Sequence, residues 1–487
     1  MKPSSFGNSQ KRPNLLLVHT DQQRWDSLGA LSSWADTPCL DQLTKGGTLF
    51  THAITNSPVC QPARTSLITG LLPHELGIWN NGSYGIHFDT PTWVQSIRSA
   101  GYETAVFGKT HWFPCGGDLI AAEPLLHSAG FNVVNEVPGP RALQRARTHL
   151  TESWDAKGLW NDFRMDYESR FQEKEHLVRP TPLPTGEYYD SYVGDCALEW
   201  IQKQNSDNPW FCYVSFPGPH EPYDAPEEYA ERINPSDMPQ PREAPKVLAS
   251  EKPQGKLDSL PHEDHYHGAV NLEPGEAQRI RADQVASVRL IDDKIAAIVE
   301  ELKNTDQWEN TIVVFASDHG ELGGDAGLIF KCCFLDSALR VPLLISTPAS
   351  RENQINQRIH APVEWRDIGP TLVDFAGGQM NHPQGARSLV SLLEDSNSDF
   401  REFAVSEIDE EICLFSRQWK VALNQQGECY LLINRLDDPE ETRNLAALPD
   451  YQEIENHLTS IAQNILKTNS GGAAHLLEDP WRSVSTG

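Results

Sequence analysis

The chain has 487 residues, of which 39% are hydrophobic and 22% are charged, a composition typical of a globular protein with a sizeable core. Its formal net charge of -28 argues against a nucleic-acid partner, because binding to phosphates requires a basic surface. An anionic substrate would therefore need a local cationic pocket. The length fits one large domain with a smaller one, or two to three ordinary domains.

The first residues are positively charged but contain no long apolar stretch. The apolar run at residues 15–18 is too short for the core of a signal peptide or for a membrane span, so we expect no membrane association. The nine cysteines are odd in number and have no repeating spacing, which favours free thiols in a reducing compartment. These features predict a cytoplasmic protein.

Short apolar runs alternate with amphipathic segments over most of the chain. The runs that we predict as strands buried on both faces are residues 14–18, 104–107, 210–216, 311–316 and 341–346. Predicted helices run from Thr37-Pro38 to Gly46-Gly47, over 191–204 and over 276–303. This alternation predicts an α/β fold with a large, mostly parallel sheet sandwiched by helices.

The remaining stretches differ from this pattern. Residues 138–186 and 217–275 are predicted to be irregular, as lids or mobile insertions are. From about residue 385 the predicted strands become short and alternating, and a helix at 452–466 follows; the strands are 403–407, 412–415, 419–423 and 430–433. We therefore expect a large α/β domain over 12–384 and a small α+β domain, an antiparallel sheet with a helix, over 385–487.

One short segment combines a thiol, a proline and an arginine: Cys60-Gln61-Pro62-Ala63-Arg64, with Thr69-Gly70 after it. Pro62 suits the first turn of a helix, which places Cys60 at or just before the helix N-terminus. Free N–H groups and the helix dipole favour an anion there, and Arg64 lies one turn further along. A buried cysteine in a proline-capped helix beside an unrelated arginine would fit the same residues.

The pattern Cys-x-Pro-Ala-Arg followed by Thr-Gly is similar to the signature of the type I sulfatases, a family of the alkaline-phosphatase-like superfamily. The resemblance covers roughly residues 12–448 and implies the α/β fold of that superfamily. It implies that a maturation enzyme oxidises Cys60 to formylglycine (3-oxoalanine), whose hydrated aldehyde is the nucleophile. It also implies a divalent metal and hydrolysis of a sulfate ester.

The same resemblance places metal ligands at the ends of two strands. Asp21 and Gln22 follow the strand at 14–18, and Asp318 and His319 follow the strand at 311–316. An oxygen of the formylglycine made from Cys60 completes the implied set. Oxygen-rich ligands favour Ca²⁺, and the imidazole leaves Mn²⁺, Mg²⁺ and Zn²⁺ open.

Further catalytic residues are implied on three other segments. Lys109 and His111 follow a strand and would point to the same side if the segment stays extended. The resemblance assigns Lys109 to the sulfate oxygens and His111 to acid–base catalysis on the formylglycine hydroxyl. It places His220 and Lys331 at the leaving-group oxygen, and Arg64 at the developing negative charge. Each segment taken alone also fits a turn or an exposed loop, but their order along the chain favours the family.

The substrate is less sharply indicated. Gln22 together with His319 resembles choline sulfatases and formylglycine-dependent phosphonate monoester hydrolases. The segment at 330–334 also resembles the choline-sulfatase version. The pair Lys109 and His111 favours sulfate esters, because phosphonate and phosphodiester hydrolases of the superfamily usually lack it. We predict a sulfated carbohydrate, and leave open choline sulfate or another small organic sulfate, a phosphonate monoester or phosphodiester, and a catalytically inactive binding protein.

Overall fold

A computed structural model describes residues 11–82, 85–87, 89–174, 176–205, 208–262, 272–380 and 385–468 of the chain. The predicted α/β class is confirmed within these ranges. The strands, in chain order, are β1 (Asn14–Thr20), β2 (Gly47–Phe50), β3 (Ala53–Ile54), β4 (Glu103–Gly108), β5 (Val133–Glu136), β6 (Trp210–Ser215), β7 (Lys246–Val247), β8 (Thr311–Ser317), β9 (Leu343–Ser346), β10 (Asn356–Ile359), β11 (Val363–Glu364), β12 (Ala404–Ile408), β13 (Glu411–Phe415), β14 (Trp419–Leu423), β15 (Cys429–Asn434) and β16 (Arg443–Asn444).

Helices separate most of these strands, and short 3-10 turns connect several of them. The α-helices, in chain order, are α1 (Pro38–Lys45), α2 (Cys60–Thr69), α3 (Pro73–Leu76), α4 (Trp93–Ser99), α5 (Glu123–Ser128), α6 (Pro140–Leu143), α7 (His149–Lys157), α8 (Trp160–Glu173), α9 (Tyr189–Gln202), α10 (Glu227–Ala230), α11 (Lys256–Ser259), α12 (Glu276–Asn304), α13 (Asp336–Leu339), α14 (Pro348–Glu352), α15 (Ile368–Phe375), α16 (Val390–Glu394) and α17 (Gln452–Thr468).

The central sheet has eight strands in the order β10-β2-β9-β8-β1-β6-β4-β5. Its neighbours are parallel except where β9 pairs with β2 and with β8, so the predicted mostly parallel sheet is confirmed. Along β1, Leu15 and Leu17 belong to one apolar core, whereas Leu16 and Val18 belong to the core on the other face. Because both faces are buried, the sequence of β1 is a continuous apolar run instead of an alternating one.

Helices cover both faces of this sheet. On one face α2, α4 and α15 contribute to the core, with Leu67, Trp93 and Leu372 fully buried. On the other face α1, α9 and α12 pack against the strands, through residues such as Ile201 and Ile295. Each such aliphatic side chain contributes about 1.5–3 kcal/mol when it is fully buried. This packing fixes the carboxyl ends of the strands relative to one another.

A second, antiparallel sheet is formed by β12–β15 near the C-terminus, as predicted. Helix α17 covers one of its faces, where Leu458 and Ala462 are buried. The other face packs on Cys332, Phe334 and Leu335, so this sheet supports the segment that carries Lys331. The domain boundary at 384/385 stays a prediction.

Two expectations from the sequence need correction or completion. Residues 138–186 are not irregular, because α6, α7 and α8 lie there. Aromatic residues spaced four apart, Phe163, Tyr167 and Phe171, form the inner face of α8 but are diluted by charged neighbours. Residues 217–275 hold only short elements in their described part, and 263–271 lie outside the described residues. Among the described residues, no helix combines the length and the apolar character needed to span a membrane.

Candidate active site

Four adjacent strands, β8, β1, β6 and β4, end at one edge of the central sheet and carry most of the predicted site residues. Parallel strands place the residues that follow them at their common carboxyl edge, where ligands bind in such sheets. The residues that follow these strands are Asp318 and His319 after β8, Asp21 and Gln22 after β1, His220 after β6, and Lys109 and His111 after β4.

Helix α2 begins at Cys60, as the proline at Pro62 predicts. Val59 before it is extended, and Gly70 closes the helix at a φ of 78°, a left-handed conformation that glycine adopts without strain. All ten residues of α2 are buried. The N-terminus of this helix, with its partial positive charge, places Cys60 beside Asp21 and His319 at the carboxyl edge of the sheet.

The thiol of Cys60 lies among potential metal ligands. One ligand atom from each of Asp21, Cys60, Asp318 and His319 lies within 4.8 Å of the others. The Cys60 Sγ is 3.1 Å from His319 Nε2 and 3.8 Å from Asp21 Oδ1. These four residues are buried, and two carboxylates with an imidazole are donors that fit a divalent cation.

Arg64 holds the two carboxylates in place. Its Nε donates to Asp318 Oδ2 at 2.7 Å, and its Nη2 donates to Asp21 Oδ2 at 2.9 Å. Its Nη1 donates to Ser215 Oγ at 3.1 Å and to the Lys109 carbonyl. The guanidinium thus donates hydrogen bonds on several sides. These bonds fix the ends of β1, β4, β6 and β8 to α2. No role was predicted for Ser215, which lies within the predicted strand at 210–216 and is the last residue of β6.

Two lysines add positive charge around Cys60. Lys109 Nζ forms an ion pair with Asp21 Oδ2. Lys331 Nζ lies 3.5 Å from Cys60 Sγ and donates to Gln22 Oε1. Burial alone would raise the pKa of the Cys60 thiol, but Lys109, Lys331 and His319 hold that pKa well below its usual range. The potential at position 60 therefore favours a negatively charged atom.

Gln22 sits in a left-handed conformation, with φ at 66°, which directs its amide between Lys331 and two glutamates. Its Nε2 donates to Glu221 Oε2 at 3.0 Å and to Glu321 Oε2. Burial raises the pKa of Glu321 to about 7. No role was predicted for Glu221 or Glu321. Their signal in the sequence is that each adjoins a predicted segment, and that a buried amide needs acceptors for its N–H groups.

Lys109 and His111 both face Cys60, but not through strand alternation. Strand β4 ends at Gly108, and His111 has a φ of 55°, so the segment turns instead of staying extended. Burial alone would lower the pKa of His111, but the neighbouring thiol of Cys115 and a hydrogen bond with Cys60 raise it to about 9. The turn is fixed by Thr110, whose hydroxyl and N–H donate to the Glu136 carboxylate at 2.6 and 3.1 Å.

His220 is positioned at the site by contacts with the adjacent residue, Glu221. Its Nδ1 lies 3.2 Å from Glu221 Oε2 and 2.8 Å from the Glu221 carbonyl oxygen. Burial and Cys60 would raise the pKa of Asp21, but Lys109, Arg64 and His220 together lower it. His220 is therefore close enough to act electrostatically on Asp21.

Known proteins are similar to this chain over most of its length. The sequence model of the family described as Sulfatase matches residues 13–378. A "Multifunctional alkaline phosphatase superfamily protein PehA" of Trinickia caryophylli is 28% identical over 466 residues, 90% of this chain and 88% of that protein. An "Arylsulfatase" of Clostridium perfringens is 26% identical over 477 residues, 92% of this chain and 93% of that protein.

Solved structures share the fold. The phosphonate monoester hydrolase of Agrobacterium radiobacter superposes with a TM-score of 0.74 at 22% sequence identity, over 94% of this chain and 96% of that protein. This similarity extends across nearly all of each chain. It supports the alkaline-phosphatase-like fold that the sequence resemblance implied.

Proposed function

This chain belongs to the sulfatase family, and we propose that it hydrolyses the sulfate ester of a carbohydrate to an alcohol and inorganic sulfate. Hydrolysis of sulfuric esters follows from the family, whereas the carbohydrate is our own assignment. One observation carries the proposal: Cys60 Sγ, at the start of α2, is surrounded by Lys109, Lys331 and His319. A site with this charge distribution binds and stabilises an anion.

We assign position 60 to formylglycine made from Cys60 by a maturation enzyme. When present, the hydrated aldehyde supplies a nucleophile that can later release sulfate by re-forming the aldehyde. The surroundings of Cys60 support this assignment, because the pKa of the buried thiol is already held low by three cationic groups. The same groups would stabilise a negatively charged oxygen at this position.

A divalent metal, Ca²⁺ in our proposal, would be held by Asp21, Gln22, Asp318 and His319 together with the group at position 60. The donor set supports this: the Asp21, Asp318 and His319 ligand atoms converge within 4.8 Å of one another in a buried site. Gln22 Oε1, which accepts from Lys331, lies beside this cluster. A bound cation supplies Lewis-acid polarisation of a sulfate oxygen.

The chain's own residues have distinct roles in this proposal. Arg64 keeps Asp21 and Asp318 in place, and Lys109 stabilises the negative charge on the sulfate oxygens as the ester bond breaks. Lys331 and His220 act at the leaving oxygen, where a proton must arrive. His111, hydrogen-bonded to position 60, takes a proton from the group there. Retention of all these side chains argues against a catalytically inactive binding protein.

The decisive experiment is sulfate release from a panel of esters by protein co-expressed with a formylglycine-generating enzyme. The panel contains sulfated mono- and oligosaccharides, choline sulfate, an aryl sulfate and the matching aryl phosphonate, with Cys60→Ala as the blank. We expect turnover of sulfated carbohydrate and none by the variant. Turnover of the phosphonate alone would replace the proposal by phosphonate monoester hydrolysis. An unmodified thiol at Cys60 in active protein, measured by peptide mass, would refute the formylglycine assignment.

A further inference from the structure

We propose that the alcohol half of the substrate occupies a groove beside the catalytic site and carries a second anionic group there, a sulfate or a carboxylate. This inference rests on the proposed function, because it names the substrate of the same site. The groove has a volume of about 590 Å³ and lies between α6 and α8. Its lining includes Arg141, Arg145, Arg164, Tyr167 and Phe171. We refer to it as the arginine groove.

The arginine groove begins at the two loops that carry the catalytic histidines. Arg141 Nη2 lies 3.8 Å from Glu221 Oε1, and Glu221 follows His220 in the chain. Arg145 packs beside Gly116, which lies in the loop after His111. A Cβ atom added to Gly116 would be 3.5 Å from Arg145 Nε. Because His220 is assigned to the leaving oxygen, the alcohol half of an ester extends from the centre toward these arginines.

The charge of the groove comes from three arginines that line the same cavity, Arg141, Arg145 and Arg164. This local positive charge contrasts with the net charge of -28 of the whole chain. Arg147 pairs with Asp118 and Glu152 at 2.7 and 2.6 Å. Within the described part of the chain, by contrast, the exposed guanidinium groups of Arg145 and Arg164 form neither an ion pair nor a hydrogen bond. Two cations left open beside an active site are suited to a bidentate contact with a sulfate or carboxylate.

The groove also offers an apolar surface against which a sugar ring can pack. The rings of Tyr167 and Phe171 are stacked with centroids 4.7 Å apart, and the Arg141 guanidinium lies 5.6 Å from the Phe171 centroid. Its volume falls within the range of about 300–1,000 Å³ that is usual for ligand sites. The lining of the arginine groove has three arginines and one carboxylate, Glu168. A larger cavity of about 730 Å³ near Trp79 is a poorer candidate for an anion, since one lysine and four carboxylates line it: Lys256, Asp258, Asp409, Glu410 and Glu411.

The test compares substrates that differ only in the second anion. Three disaccharides carry the same scissile sulfate, with a neutral group, a carboxylate or a second sulfate on the neighbouring sugar, and an aryl sulfate serves as the minimal substrate. The variant is the double substitution Arg145→Gln with Arg164→Gln, which removes charge but keeps side-chain length. Arg417→Gln, an exposed arginine outside the groove, is the matched control.

We expect the double variant to lose about tenfold or more in kcat/KM on the doubly charged disaccharides, mainly through a higher KM. The aryl sulfate and the neutral disaccharide should change less than about twofold. The preference of the unsubstituted enzyme for the second anion should weaken with added salt, whereas the double variant should show little salt dependence. Of the carboxylate and sulfate disaccharides, the one whose kcat/KM falls more in the double variant carries the anion that the groove prefers.

Equal effects on charged and neutral disaccharides, or no effect on either, would overturn the groove proposal. Failure of the proposed function looks different, because then the aryl sulfate is not hydrolysed either. In that case calorimetric titration of the Cys60→Ala protein with the doubly sulfated disaccharide still tests the groove. Binding that is unchanged by Arg145→Gln with Arg164→Gln would refute it, and binding weakened about tenfold would support it.

Discussion

Two buried charge clusters of this protein contain the same numbers of ions but differ in where the excess positive charge points. The catalytic centre that we propose places Arg64, Lys109 and Lys331 with Asp21 and Asp318 around Cys60. Beneath the C-terminal sheet lies a second set, here called the Lys420 cluster: Lys420, Arg340, Arg435, Asp336 and Glu441. Each set has three cations and two carboxylates.

In the Lys420 cluster the excess charge is covered. Lys420 Nζ contacts Asp336 Oδ1 at 2.5 Å, Glu441 Oε1 and the Phe334 carbonyl oxygen at 2.8 Å. The Arg435 guanidinium lies 3.8 Å from the Phe415 ring centroid, and that of Arg340 lies 3.5 Å from the Trp25 centroid. Aromatic faces thus take up the remaining positive charge.

In the proposed catalytic centre, as far as the structure describes the chain, the excess positive charge has no such partner. Among the described residues, Lys331 has no carboxylate within ion-pair distance, and its Nζ is directed at Cys60 and Gln22. The comparison teaches that counting buried charges does not identify an active site. The direction of the uncompensated charge does, because only an open cation can stabilise a substrate anion.

Replacing Cys60, the proposed source of the nucleophile, should produce the largest effect. We expect Cys60→Ala to lower kcat by at least about 10⁴-fold, because loss of a nucleophile removes the covalent route. The free energy of unfolding should change by less than about 1 kcal/mol, since one small buried group is exchanged for another. Initial rates of sulfate release and urea denaturation measure the two quantities. Activity within a hundredfold of the parent would show that Cys60 is not the reacting residue.

Breaking the Lys420 cluster should cost stability instead. Lys420→Met leaves Asp336 and Glu441 buried without their shared cation, and loss of one partner from such a cluster typically costs about 3–5 kcal/mol. The free energy of unfolding should fall by that amount, while kcat of the folded fraction stays within about twofold. The control is Arg417→Met in the neighbouring turn, an exposed residue whose loss should change stability by less than about 0.5 kcal/mol. Equal losses in both variants would refute the special role of Lys420.

The same substitution in the catalytic centre should have the opposite outcome. Lys331→Met removes a buried cation that lacks a carboxylate partner, so the free energy of unfolding should stay equal or rise. By contrast, kcat/KM should fall about 10²–10³-fold, as it does when one donor to a developing negative charge is lost. Thermal unfolding and kinetics on the same preparation give both values. A drop in stability as large as that of Lys420→Met would break the distinction between the two clusters.

The sequence alone predicts those elements whose residue pattern is set by their own burial, and not those that depend on contacts with distant residues. β1 and β8 were predictable because burial on both faces leaves an uninterrupted apolar run. β10 (Asn356–Ile359) was not, because Asn356 and Arg358 are exposed at the sheet edge and the strand exists through its pairing with β2. Likewise the family resemblance predicted Gln22 as a metal ligand. Its contacts with Glu221 and Glu321 were not predictable, because they depend on a left-handed backbone conformation that no sequence pattern indicates.

Metal binding should add stability only at the catalytic centre. After chelation, titration with Ca²⁺ should raise the melting temperature, with a gain of about 2.7 kcal/mol when the ion is at a hundred times its Kd. Asp318→Asn should abolish the shift, since Asp318 is one of the carboxylates among the converging ligand atoms. Parallel titrations with Mn²⁺, Mg²⁺ and Zn²⁺ rank the four ions by the rise in melting temperature that each produces. A shift that persists in Asp318→Asn would place the bound metal elsewhere.

A buried acid outside both clusters, Asp224, extends the comparison, and its replacement has the smallest expected effect. Unlike Asp336, it has no ion pair within the described ranges; the Tyr188 and Tyr189 hydroxyls donate to its Oδ1 at 2.9 and 3.0 Å. Burial raises the pKa of Asp224 from its ordinary value of 3.8 to about 6. Between these pH values the folded state binds more protons than the unfolded state, so stability falls as the pH rises, and the full loss is present above about pH 6.

Asp224→Asn keeps an oxygen acceptor for both tyrosines and removes this ionisation. We expect the variant to be about 1–2 kcal/mol more stable than the parent at pH 7.5, with the gain shrinking through pH 5 and vanishing near pH 4. Denaturation curves across that range measure it, with Asp155→Asn on the exposed side of α7 as the control. A gain that does not depend on pH would mean that packing, and not the buried charge, separates Asp224 from Asp336. A loss at every pH would mean that nearby Arg170 compensates the Asp224 carboxylate as fully as Lys420 compensates Asp336.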